Sequence, residues 1–375
     1  MSGIIYWGLD RIVKRVVGMY MKLCIVTVYN SINSGSYWQA FSLGYKLNQL
    51  GHDVSYYKRN ASEGSSNSKK SQLKKLVKMF IKFGLNSTVR YAKTIIEFNK
   101  SENRFMVVSD EKILDEIDCF ILGSDTIWNV QSKYFMKNYE TYFGKKFFPH
   151  RVIAYAASMA NTTKEELEVI PEVVDIVNNW NEIGVRDLHT KEVIEQFTEK
   201  GISLVCDPTF LLDKDDYQRW VYKPFEKKYI FVYTFKEISQ KEAKELLDFA
   251  KKNQLIIING ATPSKPYYCD KTIVNSPDTF LSYMYYAEYV ITDTFHGTAF
   301  SINLNKNFAV LNRNKKKVND LLQQLGQEDR LVTETTSIIK ALETHVETED
   351  KLKKIKQESI IFLKHAIGGK NEDNK

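Results

Sequence analysis

From Met21 onward, short apolar runs alternate with segments whose apolar residues recur every three or four positions, and such alternation is the pattern of a parallel α/β sheet. KLCIVTV (22–28) reads as a buried strand. SYWQAFSLGYKLNQLG (36–51) follows as a helix that places Trp38, Ala40, Phe41, Leu43, Leu47 and Leu50 at helical spacing and stops at Gly51. DVSYY (53–57) completes a βαβ unit. The small polar residues from Arg59 to Gln72 read as a surface loop, and helices near 72–83 and 88–103 come next. Strands are predicted at 118–123, 151–158, 182–185 and 203–207, with helices at 163–178 and 187–197. A second alternation starts at KYIFVYTF (228–235). It runs through helix 239–252, strand 255–259, helix 277–287, strand 289–292, helix 296–304 and strand 308–312, and a last helix spans 348–366.

This order predicts two Rossmann-like parallel-sheet domains facing a cleft. The expected parts are an extension at 1–20, a first domain at 21–212, a linker at 213–227, a second domain at 228–345, a C-terminal helix at 346–366 and a tail at 367–375. A chain of 375 residues with 43% hydrophobic and 26% charged residues can fill two such cores. Its net charge of +7 favours anionic ligands over cationic ones. The lysines read as scattered and no recognition module accompanies them, so nucleic acid is not expected as a partner.

Cys24, Cys119, Cys206 and Cys269 are far apart, which argues for free thiols in a reducing, cytoplasmic compartment rather than a disulfide framework. No group of His, Cys and acidic residues has ligand spacing, so neither a metal nor a bound cofactor is expected. No apolar run reaches the roughly 18 residues a membrane span needs. Residues 1–20 mix Ile4, Ile5, Trp7, Ile12 and Val16 with Arg11, Lys14 and Arg15 and lack a signal-peptide pattern. They read either as the product of an upstream start codon or as an interfacial helix giving peripheral contact with the inner face of a membrane.

Open parallel sheets bind ligands at the carboxyl ends of their strands, so the stretches that follow strands carry the functional candidates. YNSINSGSYWQA (29–40) offers Asn33 and Gly35 at a turn into a helix. GSDTIWN (123–129) offers Ser124 and Asp125 for sugar hydroxyls and Trp128 as a ring face for a pyranose, against the alternative of a helix cap and core packing. GVRD (184–187) offers Arg186 for a carboxylate or phosphate, against an ion pair with Asp187 or Asp207. CDPTFLL (206–212) reads first as a structural turn. TDTFHGTAFS (292–301) places His296 with Thr294, Gly297 and Thr298 at the start of a helix, where backbone N–H groups favour an anion and an imidazole can move a proton.

Taken in order, NSGSYWQA, GSDTIWN, YAAS (155–158), VRD, DPT and TDTFHGT resemble the motif series of the polysaccharide pyruvyl transferase family over residues 22–312. The chain departs from that series at Trp38 for leucine, Asp187 for glutamate, Ala160 for glycine and Thr294 for serine. The resemblance implies a GT-B-like fold, phosphoenolpyruvate as donor and a sugar acceptor, lipid-linked or already in a surface polysaccharide, that leaves as a pyruvate ketal. Under it His296 and Asp125 are the catalytic candidates, and Asp207 is a secondary one. Arg186, Gly297, Thr298 and Thr294 would bind the donor, and Trp128, Ser124, Asn33 and Gly35 the acceptor. Two other functions share these features: a GT-B glycosyltransferase using a nucleotide sugar, and a non-catalytic sugar- or phosphate-binding protein.

Overall fold

The computed structural model describes residues 20–58, 69–109, 114–344 and 349–368. The segment read as an upstream start or interfacial helix, most of the polar loop ending at Gln72 and the last seven residues lie outside the described residues.

Two sheets organise the chain, and every pairing within them is parallel. The first has seven strands in the order β3-β2-β1-β4-β5-β6-β7. They are β1 (Lys22–Val26), β2 (Asp53–Tyr57), β3 (Val107–Val108), β4 (Cys119–Leu122), β5 (Arg151–Ala157), β6 (Glu182–Val185) and β7 (Ile202–Leu204). The second has six in the order β10-β9-β8-β11-β12-β13. They are β8 (Tyr229–Tyr233), β9 (Ile256–Asn259), β10 (Lys271–Thr272), β11 (Tyr289–Thr292), β12 (Asn307–Leu311) and β13 (Leu331–Val332). Helices cover both faces, so central strands are apolar without alternation, and all residues of β4 and β8 are buried. The register sets Leu23 of β1 between Val54 and Cys119, and Ile291 of β11 beside Val232.

Seven helices matter for the site: α1 (Ser34–Gln49), α2 (Lys69–Ser101), α3 (Leu188–Ile194), α4 (Pro277–Tyr286), α5 (Phe295–Asn303), α6 (Lys316–Leu325) and α7 (Glu349–Gly368). The buried face of α1 joins the two halves. Trp38 Nε1 donates to the Pro277 carbonyl at 2.8 Å, which gives the tryptophan in place of leucine a polar partner across the halves. Nearby, the Arg104 guanidinium forks onto both oxygens of Asp278 at 2.7 and 2.6 Å. The final helix α7 returns to the first sheet. Phe362 packs against Gly184, the Cys206 N–H donates to Ser359 Oγ at 2.8 Å, and Arg151 Nη2 donates to the Ala366 carbonyl at 2.8 Å. One apolar cluster therefore contains Leu23 and Phe362 together with Phe280 and Phe300 of the second half.

The structure corrects the expected elements in three places. The helix expected at 163–178 is two pieces, Lys164–Leu167 and Val173–Asn179, because Pro171 lacks an N–H and Glu172 turns to φ 60°. Helix α6 and the two-residue edge strands β3, β10 and β13 were absent from the expected series. Helices 72–83 and 88–103 form one element, α2, interrupted at Gly84. All four cysteines are free and buried, and burial pushes the Cys24 and Cys119 thiols up to about 12.

Candidate active site between the two sheets

Where strand order reverses in a doubly wound sheet, the connections leaving neighbouring strands diverge and a crevice opens at their carboxyl ends. That point lies between β1 and β4 in the first sheet and between β8 and β11 in the second. The connections leaving these four strands line a shared crevice of about 400 Å³: Ser31, Asn33 and Ser36 after β1, Asp125 and Thr126 after β4, Tyr233 and Phe235 from β8, and Thr294 to His296 after β11. Lys315 and Lys317, at the start of α6, line the same crevice.

His296 lies in the first turn of α5, which is capped by Thr294, whose Oγ1 accepts the Gly297 N–H at 2.9 Å. Its ring presses on α1 of the other half. A Cβ at Gly35 would stand 2.3 Å from His296 Nδ1, so this close approach requires glycine. On the other side of the ring, Nε2 is 3.6 Å from Asp207 Oδ2 and has no hydrogen-bond partner.

Asp207 sits at the carboxyl end of β7, buried. Its Oδ1 accepts the Thr209 N–H at 3.0 Å and the Thr209 hydroxyl at 2.8 Å, and its Oδ2 accepts from Arg186 Nη1 at 2.6 Å. Burial alone would raise this carboxyl, but the facing charges of His296 and Arg186 outweigh it and hold the group well below the usual carboxylate range. The ion pair left open for Arg186 is thus formed with Asp207, while Asp187 Oδ1 accepts the Thr190 N–H at 2.8 Å and caps α3. Arg186 also stacks on the Phe295 ring at 4.2 Å, and its Nε and Nη2 have no partner.

Phe295 and Lys317 face both the crevice and a second cavity of about 200 Å³, which Arg186, Asp187, Asp320 and Leu321 also line. Arg186 therefore lines the second cavity, behind Phe295, rather than the crevice itself.

Asp125 follows β4 with φ 73° and faces the crevice. Its Oδ2 accepts from Ser36 Oγ at 2.7 Å and its Oδ1 from the Thr126 N–H at 2.8 Å. Burial pushes this carboxyl up, and the charges of His296, Arg186 and Lys317 reverse the shift, leaving it lowered. Lys317 is the converse case. Burial, reinforced by Arg186, lowers its ammonium against the pull of Asp125.

Several expected contacts fall elsewhere. Trp128 is fully buried, stacked on Trp180 at 4.6 Å with Nε1 donating to the Tyr142 carbonyl, so it offers no ring face to a sugar. Ser124 is fully buried and donates to Gln39 Oε1. Asn33 lines the crevice, but its Oδ1 is spent on the Gly35 and Ser36 N–H groups as the cap of α1. Thr298 is buried, its hydroxyl donating to the Thr294 carbonyl, and Gly297 packs against Thr292. His296 and Asp125 do meet in the crevice, and Gly35 is there as the surface on which the imidazole rests.

Other residues emerge only from the geometry. Tyr233 and Ser31 line the crevice with buried hydroxyls that lack partners, and Lys317 faces it as a cation. Gln39, fully buried, ties the walls together: Nε2 donates to Thr27 Oγ1 at 3.2 Å and the Ser36 carbonyl at 2.8 Å while Oε1 accepts from Ser124. The sequence signal for Gln39 was its place in NSGSYWQA. For Lys317 it was the apolar spacing of α6, which fixes where the lysine points.

Two parallel sheets with a crevice across both reversal points define a GT-B-like α/β protein. The sequence pattern of the family described as polysaccharide pyruvyl transferase matches residues 33–315, and the chain belongs to that family. No curated protein matches the sequence significantly. Among solved structures, the chain is similar to the UDP-GlcNAc 2-epimerase from Methanocaldococcus jannaschii, with 11% identity and a TM-score of 0.53 over 92% of this chain and 100% of that one. A second UDP-N-acetylglucosamine 2-epimerase gives 9% identity and a TM-score of 0.51 over 95% and 98% of the two chains. At these identities the likeness is one of fold.

Proposed function

We propose that the protein transfers the pyruvyl group of phosphoenolpyruvate to two hydroxyls of a sugar belonging to a surface polysaccharide or its precursor, forming a ketal and releasing phosphate. The observation that carries this reading is the approach of His296 and Asp125 from opposite halves into one crevice that also presents Lys317. In this reaction one proton is added to the methylene carbon of the enol. One sugar hydroxyl adds to the cationic carbon that results, phosphate leaves, and the second hydroxyl closes the ketal. The two hydroxyl protons balance the proton placed on carbon and the one carried off by phosphate.

His296 supplies the proton to the methylene carbon, its imidazole lining the crevice and backed by the ionised Asp207 3.6 Å from Nε2. Asp125, kept ionised, accepts a hydroxyl proton. Lys317 meets the donor's negative charge, and an arriving dianion favours the ammonium that burial disfavours. Arg186 acts from behind Phe295, by fixing Asp207.

The test is incubation of the purified protein with phosphoenolpyruvate and a panel of lipid-linked or nitrophenyl glycosides, following phosphate release and the mass of the product. Wild type adds a pyruvyl group, and His296→Ala does so about 10² to 10⁴ more slowly with an unchanged melting curve. Ketal formation at the wild-type rate by folded His296→Ala would remove the role given to the imidazole.

A further inference from the structure

Residues 73–83 of α2, ahead of Gly84, take no part in the apolar cores. Gly84 adopts φ 75° and ψ −179°, which breaks the helix and needs a residue without a side chain. From residue 73 to 86 only Leu76 and Met79 are half-buried, and every other position is exposed. Ile81 is 78% exposed, Leu85 65% and Leu73 62%. Leu73, Val77, Phe80 and Ile81 follow helical spacing and form one apolar stripe, whereas Lys74, Lys75, Lys78 and Lys82 fall on the adjoining face.

Positive charge is concentrated here as well, which corrects the reading of the lysines as scattered. Residues 69–96 contain eight lysines and arginines and no acidic residue, against a net +7 for the whole chain, so the remainder is close to neutral. An apolar stripe this exposed has no purpose facing water alone.

We propose that the segment from Leu73 to Leu85 docks the protein in the plane of an anionic lipid surface. Its apolar side chains enter the boundary between headgroups and acyl chains, while the lysines stay level with the phosphates. The absence of any acidic residue favours this occupant over a second copy of the chain, whose own patch would carry the same charge. The attachment point gives the docking a direction. Arg90 Nε donates to the Pro263 carbonyl at 2.7 Å, in the connection leaving the carboxyl end of β9, the end of the second sheet at which the crevice opens.

The full chain, sedimented with vesicles of phosphatidylcholine alone or mixed with phosphatidylglycerol, tests this independently of any activity. Wild type is expected to pellet with the mixed vesicles and to be released by salt. Phe80→Ser combined with Ile81→Ser should weaken that binding on the order of tenfold with an unchanged melting curve. Lys78→Gln combined with Lys82→Gln should erase the preference for the anionic mixture. Equal sedimentation of wild type and the serine variant, or none by either, overturns the proposal. So does a shift from dimer to monomer on size exclusion in the serine variant without a change in vesicle binding, which would assign the patch to a second copy.

Discussion

Arg186 Nη1 and His296 Nε2 converge on one buried oxygen, Asp207 Oδ2, at 2.6 and 3.6 Å, so removing its charge strands a guanidinium in the interior. Asp207→Asn is expected to cost about 3 to 5 kcal/mol in urea unfolding, as breaking one side of a buried pair does. The pH dependence has a definite sign. A carboxyl held below its unfolded value of about 3.9 stabilises the fold fully above that pH and loses its contribution as the pH falls toward the folded value. Below about pH 4 the stability of Asp207→Asn should therefore fall less steeply than that of wild type, measured by urea midpoints across the acid range. At this scale the sequence was partly legible. The place of His296 and Asp125 in the crevice was legible because each lies just past a strand at a reversal point. Trp128 is misplaced by sequence reasoning because an aromatic residue after a strand looks the same whether it faces a ligand or, as here, stacks on a second tryptophan. Tyr233 was missed because its strand end resembled any other.

Among the elements, α7 shows how a distant segment supports the site. Phe362 packs into the cluster shared by both halves, against Gly184 of β6, two residues before Arg186. Phe362→Ala should cost about 3 to 5 kcal/mol in urea unfolding through the cavity it leaves. Strands that are buried along their whole length, such as β4 and β8, were legible because an unbroken apolar run bounded by polar residues has few other uses. The edge strands β3, β10 and β13 were not, since two residues carry no periodicity. Helix α6 leaves a legible pattern: Val318, Leu321, Leu322 and Leu325 keep helical spacing up to Gly326, which ends the helix at φ 66°.

For the whole molecule, two sheets facing one crevice suit either a phosphoenolpyruvate or a nucleotide-sugar donor, so the donor must be read from ligand binding. Phosphoenolpyruvate is expected to raise the melting temperature and uridine diphosphate to leave it unchanged. A ligand present at a hundred times its dissociation constant adds about 2.7 kcal/mol, which a thermal-shift measurement resolves. The reverse result would favour the nucleotide-sugar reading. The chain passes between its halves twice, once between β7 and β8 and again ahead of α7, which ends on the first sheet. A body held by two tethers does not twist freely; it swings about the line joining them, like a door on a pair of hinges. With Trp38 and Arg104 also clasping the opposite half, the pairing of side chains across the gap is fixed by the fold before any sugar arrives.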